Sequence, residues 1–160
     1  MQTQQPFQTF LDEHRVPVLG FLRAMVGPND ADDCFQETFI AAMRGYERMN
    51  GSNPRAWVMT IARRKAIDHH RAGRRRPEPR EELPEQPVRD PLPGEDAELW
   101  LAVRELPPKQ RGAVAMRYAA DLDYAEIATA LACSEDAARR SVHEGLKRLR
   151  QTFESEGGPQ

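Results

Sequence analysis

The chain has 160 residues, 13 prolines, two cysteines and a formal net charge of −2, a length that suits one ordinary domain or two very small ones. A balance this close to neutral excludes a global field that would drive binding to nucleic acid. No apolar run approaches a membrane span and no charged-then-apolar signal opens the sequence, so a soluble cytoplasmic protein is expected. The charge is segregated, however. Arg55 to Arg80 is strongly basic, Glu81 to Glu98 is mostly acidic, and with the prolines this favours two units over one. Cys34 and Cys133 have no CxxC pattern and read as small apolar fillers in a reducing compartment.

In chain order, Pro6 to Val26 carries Phe7, Phe10, Leu11, Val18, Leu19, Phe21, Leu22 and Met25 at a period near 3.6, with Pro17 expected to split or bend the helix. Gly27-Pro28-Asn29 ends it. Asp30 opens DADDCFQETFIAAMRGYERM, with Phe35, Phe39, Ala42 and Met43 as the inner stripe and Ile40 beside it. Asp32, Asp33, Gln36, Glu37 and Arg44 point outward. These are either an acidic first turn complementing the helix dipole or a face that docks on a basic partner. Asn50-Gly51-Ser52-Asn53 is a loop, and Pro54 at N1 starts PRAWVMTIARRKAIDHHRAGRRR. Trp57, Val58, Ile61 and Ala62 give its apolar stripe. Arg63, Arg64, Lys65, Arg71, Arg74, Arg75 and Arg76 then crowd together. Cations this dense repel one another and fit nucleic-acid phosphates better than a merely solvated face.

Arg76 to Gly94 is rich in proline and glutamate without apolar periodicity, which makes it a flexible linker. Glu95 to Leu106 is amphipathic, with Leu99, Trp100, Val103 and Leu106 inward. Pro107-Pro108 breaks it and starts KQRGAVAMRYAA, with Val114, Ala115, Met116 and Tyr118 available for a core. In DLDYAEIATALACSEDAARRSVHEGLKRLR, Asp123 and Glu126 form a capping box and Ala125, Ile127, Ala128 and Leu131 a small apolar stripe. Ala132-Cys133 is a turn, and Ser134 caps a helix with Ala138, Val142, Leu146 and Leu149 on one face. Its other face carries Arg139, Arg140, His143, Lys147 and Arg150. The pair is either an αα-hairpin with a solvated basic face or a helix-turn-helix whose second helix enters a major groove.

Three segments match one family in order. DADDCFQETF resembles the D-A-x-D-x-x-Q-E-x-F signature of bacterial sigma factors, and PRAWVMTIARRKAIDHHR resembles the promoter-melting helix that follows it. The stretch from Leu106 to Arg150 is similar to the C-terminal region that reads the −35 promoter element. With only these two regions and a short linker, the chain resembles an extracytoplasmic-function (ECF) sigma factor of the sigma-70 family. Departures are Met43 for a frequent tryptophan, Arg64 for an asparagine, and Glu144-Gly145 where basic or small residues are common.

The resemblance implies an all-α fold of two small helical domains. These are a region 2 bundle at 1–76 and a region 4 four-helix unit with the helix-turn-helix at 95–153, joined by a flexible Pro/Glu-rich linker at 77–94 and followed by a disordered tail at 154–160. It implies that Asp33, Gln36, Glu37 and Arg44 dock on core RNA polymerase. For the −10 element it implies a loop that cups an unstacked base, with Asn50, Ser52 and Asn53, and a basic helix that tracks the strand, with Arg55, Arg63, Arg64, Lys65, Arg71 and Arg74. For the −35 element it implies Arg139, Arg140, Ser141 and His143 near base edges and Lys147 on phosphate.

The function expected is promoter-specific transcription initiation, with the polymerase clamp and flap, promoter DNA and an anti-sigma factor as partners, and neither membrane nor cofactor. A stand-alone helix-turn-helix regulator is the alternative. Scattered histidines, the lack of a glycine-rich phosphate loop and the lack of metal-ligand spacing speak against an enzyme.

Overall fold

The computed structural model describes residues 5–49, 53–75 and 97–156, the side chains of 71–75, 97 and 156 excepted. Among them there is no strand. The first unit comprises α1 (Phe7–Val26), α2 (Ala31–Gly45), a 3-10 turn (Tyr46–Arg48) and α3 (Pro54–Arg75). The second comprises α4 (Ala97–Arg104), α5 (Pro108–Val114) running into a π-helical turn (Ala115–Ala119), α6 (Tyr124–Leu131) and α7 (Glu135–Glu156). The linker expected at 77–94 lies outside the described residues.

Helix α1 continues through Pro17, where a break or bend was expected. A mid-helix proline loses one hydrogen bond and crowds the preceding turn, at a cost of about 3 kcal/mol. Packing offsets this: Phe10, Val18, Phe21 and Leu22 of α1 are fully buried. Phe10 sits in an aromatic cluster, its ring 5.0 Å from Tyr46, 5.8 Å from Trp57 and 6.4 Å from Phe39. Tilted and edge-on pairs of this kind add about 0.5–1.5 kcal/mol each beyond their area. The Tyr46 hydroxyl donates to the Gln5 carbonyl, tying the chain's start to the end of α2.

The second unit departs from the expected single helix after Pro108. Ala120 N–H donates to Ala115 O at 3.1 Å and Leu122 N–H to Met116 O at 2.9 Å, longer-range bonds than an α-helix makes. The widened turn shifts the helical phase by about one residue. Ala115, Met116 and Ala120 take the inner positions, and Tyr118, assigned to the core from sequence, is 55% exposed. At the other end α7 runs on to Glu156, so 154–156 are helical and not part of a tail. No breaker stands before Gly157, and the Thr152 and Ser155 hydroxyls bond back to the Arg148 and Thr152 carbonyls at 3.0 Å each.

The two units abut. Helix α3 packs on α6, and α1 packs on α4 and the π-turn. One apolar cluster includes Phe21, Leu22 and Met59 from the first unit and Met116, Leu122 and Ile127 from the second. Small residues mark the contacts. A Cβ at Gly20 would stand 2.9 Å from the Ala119 carbonyl oxygen, and one at Gly27 would collide with the Arg104 guanidinium. That guanidinium lies at the C-terminal end of α1, the negative end of its dipole.

His14 lies at this junction. It is 6% exposed, stacks 4.7 Å from Phe10, and neither ring nitrogen has a hydrogen-bond partner among the described residues. Burial holds its pKa below the ordinary 6.5; Arg55 adds to this, while Glu13 and Glu126 oppose it. Glu13 belongs to α1, Arg55 to α3 and Glu126 to α6, across the junction. The unfolded chain therefore takes up a proton near pH 6.5 that the folded chain refuses, and stability falls as pH drops from 6.5 towards the lower folded value. Thermal unfolding measured from pH 7.5 to 5 is expected to show this acid loss, and His14→Leu is expected to flatten it.

Candidate polymerase and nucleic-acid interfaces

Helix α2 has opposite faces built for different tasks. Ala31, Cys34, Thr38, Phe39 and Ala42 are buried. The Thr38 hydroxyl is satisfied within the helix by the Cys34 carbonyl at 2.7 Å. Burial, with Glu37, Asp30 and Asp33 nearby, pushes the Cys34 thiol up to about 11, which keeps it protonated and inert as a filler. Asp33, Gln36, Glu37 and Arg44 are all exposed on the other face. Met43, assigned to the inner stripe from sequence, joins them at 59% exposure, with Ile40 at 46%. The small Ala31, Cys34 and Ala42 set the inner line and let the helix sit close to its neighbours, which turns Met43 outward.

The expected −10 group is distributed differently. Asn53 Oδ1 accepts from the Ala56 N–H at 3.1 Å and so caps α3. That oxygen is committed, which leaves the amide N–H2 for a base. Asn50, Ser52 and the side chains of Arg71 and Arg74 lie outside the described residues. Arg64 is exposed, while Arg55, Arg63 and Lys65 are half-buried. Arg63 faces the second unit, its Nε 3.8 Å from a Cβ built at Gly112. His69 Nε2 lies 3.4 Å from Asp30 Oδ2, which ties α3 to the start of α2.

The helix-turn-helix is fixed by local bonds at every joint. The capping box is complete: Glu126 N–H donates to Asp123 Oδ1 at 2.8 Å, and Asp123 N–H to Glu126 Oε1 at 3.1 Å. At the end of α6, Ala132 is left-handed (φ 53°). Its N–H bonds the Thr129 carbonyl at 3.3 Å, and Cys133 N–H bonds that of Ala128 at 3.0 Å. This is a Schellman stop with alanine where glycine is usual. Ser134 Oγ then accepts from Ala137 N–H at 3.0 Å and starts α7.

On α7, Arg139, Arg140, His143 and Lys147 are exposed and Ser141 is half-buried, so one helix presents the whole expected −35 set. Two residues that sequence reasoning missed accompany it. The Arg139 guanidinium carbon lies 4.6 Å from the Tyr124 ring centroid and that of Arg117 lies 5.0 Å from the same ring. Residues 117, 124 and 139 sit on three separate elements, so no periodicity links them.

An all-helical chain that joins a capped helix-turn-helix to a second unit with a basic helix defines a class: a two-domain DNA-binding protein. Comparison with known proteins is more specific. Residues 10–76 match the family model for Sigma-70 region 2, and residues 96–149 that for Sigma-70, region 4. The chain is 31% identical to the ECF RNA polymerase sigma factor SigX of Bacillus subtilis, over 94% of this chain and 85% of that protein. It is 34% identical to the ECF RNA polymerase sigma factor SigF of Caulobacter vibrioides, over 81% of this chain and 74% of that protein. It shares its fold with the sigma factor RpoE of Bartonella quintana, solved in complex with the anti-sigma factor NepR. There the TM-score is 0.76 at 21% identity, over 92% of this chain and 96% of that one.

The chain belongs to the ECF sigma factors of the sigma-70 family. Membership supports promoter-specific initiation with RNA polymerase, and not the stand-alone regulator.

Gly145 explains one departure noted in the sequence. It is buried where α7 crosses α5, and a Cβ there would stand 2.6 Å from Val114 Cγ2. Helix propensity alone favours alanine over glycine by about 1 kcal/mol. Overpacking against a stiff, buried valine typically costs 1–3 kcal/mol. Gly145→Ala is therefore expected to lower the thermal midpoint, and adding Val114→Ala is expected to recover part of the loss.

Proposed function

We propose that the outward face of α2 docks on the polymerase clamp, that the loop before α3 and the basic face of α3 take the −10 strand, and that α7 reads the −35 duplex. The observation carrying this reading is the α2 face. Asp33, Gln36, Glu37 and Arg44 surround exposed Ile40 and Met43 on a helix whose other side is buried. An apolar pair rimmed by charge suits an interface core better than a solvated helix surface. On this reading the protein supplies binding and strand separation without chemistry of its own, and acts in the cytoplasm, where polymerase works. The second unit meets the flap of the second-largest subunit. An anti-sigma factor is a fitting inhibitor, since the Bartonella relative was solved with one bound.

Scale requires the units to part. The −35 and −10 elements are about 25 base pairs apart, roughly 85 Å of duplex. A compact chain of this length has a radius of gyration of only about 15 Å. The region 77–94, if extended, reaches on the order of 60 Å, enough with the width of the two units to serve both elements. Core polymerase then holds the units at the promoter's spacing, and the two linked contacts gain from effective concentration only in that geometry.

Run-off transcription with added core polymerase on a promoter library tests the whole reading. Within it, Asp33→Arg combined with Glu37→Arg is expected to abolish association with core while circular dichroism stays native; retained binding removes the clamp assignment. Gly20→Ala tests the parting. It adds helix propensity to α1 but places a Cβ against the Ala119 carbonyl. Small-angle scattering is expected to show a larger free protein that binds promoter DNA more tightly. An unchanged profile with unchanged affinity would mean that closure is no restraint.

A further inference from the structure

We propose that Tyr124 is a positioning residue for promoter reading: its ring holds the Arg139 guanidinium in place to bond a guanine of the −35 duplex. This rests on the assignment of α7 as the −35 reading helix and adds a residue from a different helix to it.

Arg139 is the fifth residue of α7, in the N-terminal part from which recognition helices reach base edges. A long exposed arginine samples many rotamers, and its entropy is lost on binding unless something holds it first. Among the described residues Arg139 has two such contacts. One is Glu135 Oε1 at 3.7 Å, a pair exposed on both sides, too long for a hydrogen bond and of little energetic weight. The other is the Tyr124 ring, 4.6 Å from the guanidinium carbon. The ring contact therefore decides where the guanidinium sits.

The ring is itself fixed. Tyr124 is the first residue of α6 and directly follows the capping-box aspartate, so its backbone is locked by the bonds between Asp123 and Glu126. On the same ring lies Arg117, which donates through Nη1 to the Leu122 carbonyl at 3.0 Å. A ring contact engages the π cloud of a guanidinium and leaves its in-plane N–H donors available. Those donors are the fork that pairs with guanine O6 and N7. Two guanidiniums on one aromatic ring also repel each other, and a phosphate or a guanine edge relieves that repulsion. An electron-rich DNA ligand is the chemistry this arrangement fits.

The test uses the full chain in holoenzyme with core polymerase, on duplex promoters randomised through the −35 element, with four variants: Tyr124→Phe, Tyr124→Leu, Arg139→Ala and the Tyr124→Leu/Arg139→Ala double. Tyr124→Leu is expected to weaken promoter binding roughly two- to fivefold, the range for an exposed cation–π contact. It should also flatten preference at the same single base pair that Arg139→Ala flattens. Tyr124→Phe keeps the ring and is expected to restore that preference. The double variant is expected to match Arg139→Ala alone, because Tyr124 acts through that arginine.

Additive losses in the double variant overturn the proposal, since Tyr124 then acts on its own. So does a Tyr124→Leu loss that is uniform over all sequences and accompanied by a lower unfolding midpoint. If Arg139→Ala relaxes one position and Tyr124→Leu relaxes none, the positioning role fails while the −35 assignment stands. If Arg139→Ala changes nothing, the assignment of Arg139 fails and the proposal with it.

Discussion

Phe21 and Met59 of the first unit lie in the same apolar cluster as Met116 and Ile127 of the second, and that shared core constrains the rest of the molecule. Units of this size bury only about 60% of the surface their chains expose and are marginal alone. Closing them on each other adds apolar burial at about 25 cal/mol per Å². Small groups let the units approach closely around it: Gly20 on the Ala119 carbonyl, and Gly112 beside Arg63. These close approaches accompany a core in which Phe21, Leu22 and Met59 of one unit and Met116, Leu122 and Ile127 of the other are all fully buried. Parting the units would uncover these apolar side chains, a cost that binding to another surface has to offset.

The reading elements share this core through Ile127, Leu131, Ala138 and Val142, but their joints are also held locally. The helix-turn-helix has its own bonds at each joint, from the Asp123–Glu126 box through the left-handed Ala132 to the Ser134 cap. It also rests partly on a separate small core of Val103, Leu106, Val114 and Leu149. On the proposed reading, these local bonds keep the joints of the reading head intact when the units part. Arg139 moves with it, since Tyr124 and Arg117 lie in the same unit.

Much of this was legible in the sequence because the signals are local. The capping box, the Ser134 cap and the polar face of α2 are patterns of three to eleven residues, within the span of a helix. Failures arose where tertiary packing overrode local preference. Pro17 reads as a break, but the helix face that carries Phe10, Val18, Phe21 and Leu22 is fully buried on both sides of it and the helix continues. Tyr118 and Met43 have the hydrophobicity of core residues. A π-turn rotates the first outward, and the line of Ala31, Cys34 and Ala42 turns out the second. Closure of the units left no sequence signal, because contacts such as Gly20 with Ala119 lie about a hundred residues apart. The Arg139–Tyr124–Arg117 group was hidden for the same reason: its members sit on three elements brought together only by the crossing of α6 and α7.

Charge connects closure to function. A chain of net charge −2 gains little long-range attraction to DNA, so its affinity has to come from local groups of cations. Two of the cations assigned to the −10 strand lie at the junction. Arg63 lies against Gly112, and Arg55 sits by His14, where Glu126 of the second unit also acts. Glu126 is at the same time the carboxylate of the capping box. Arg55 and Glu126 therefore both lie near His14 at the junction in the closed form. On the proposed reading strand binding and closure draw on the same positive groups. A ligand shifts such an equilibrium only by its difference in affinity for the two states. On the proposed reading a strand phosphate has that difference, because Arg55 and Arg63 are half-buried in the closed form. On the same reading polymerase has it by holding the units at the spacing of the two promoter elements. On that reading opening and promoter capture reinforce each other.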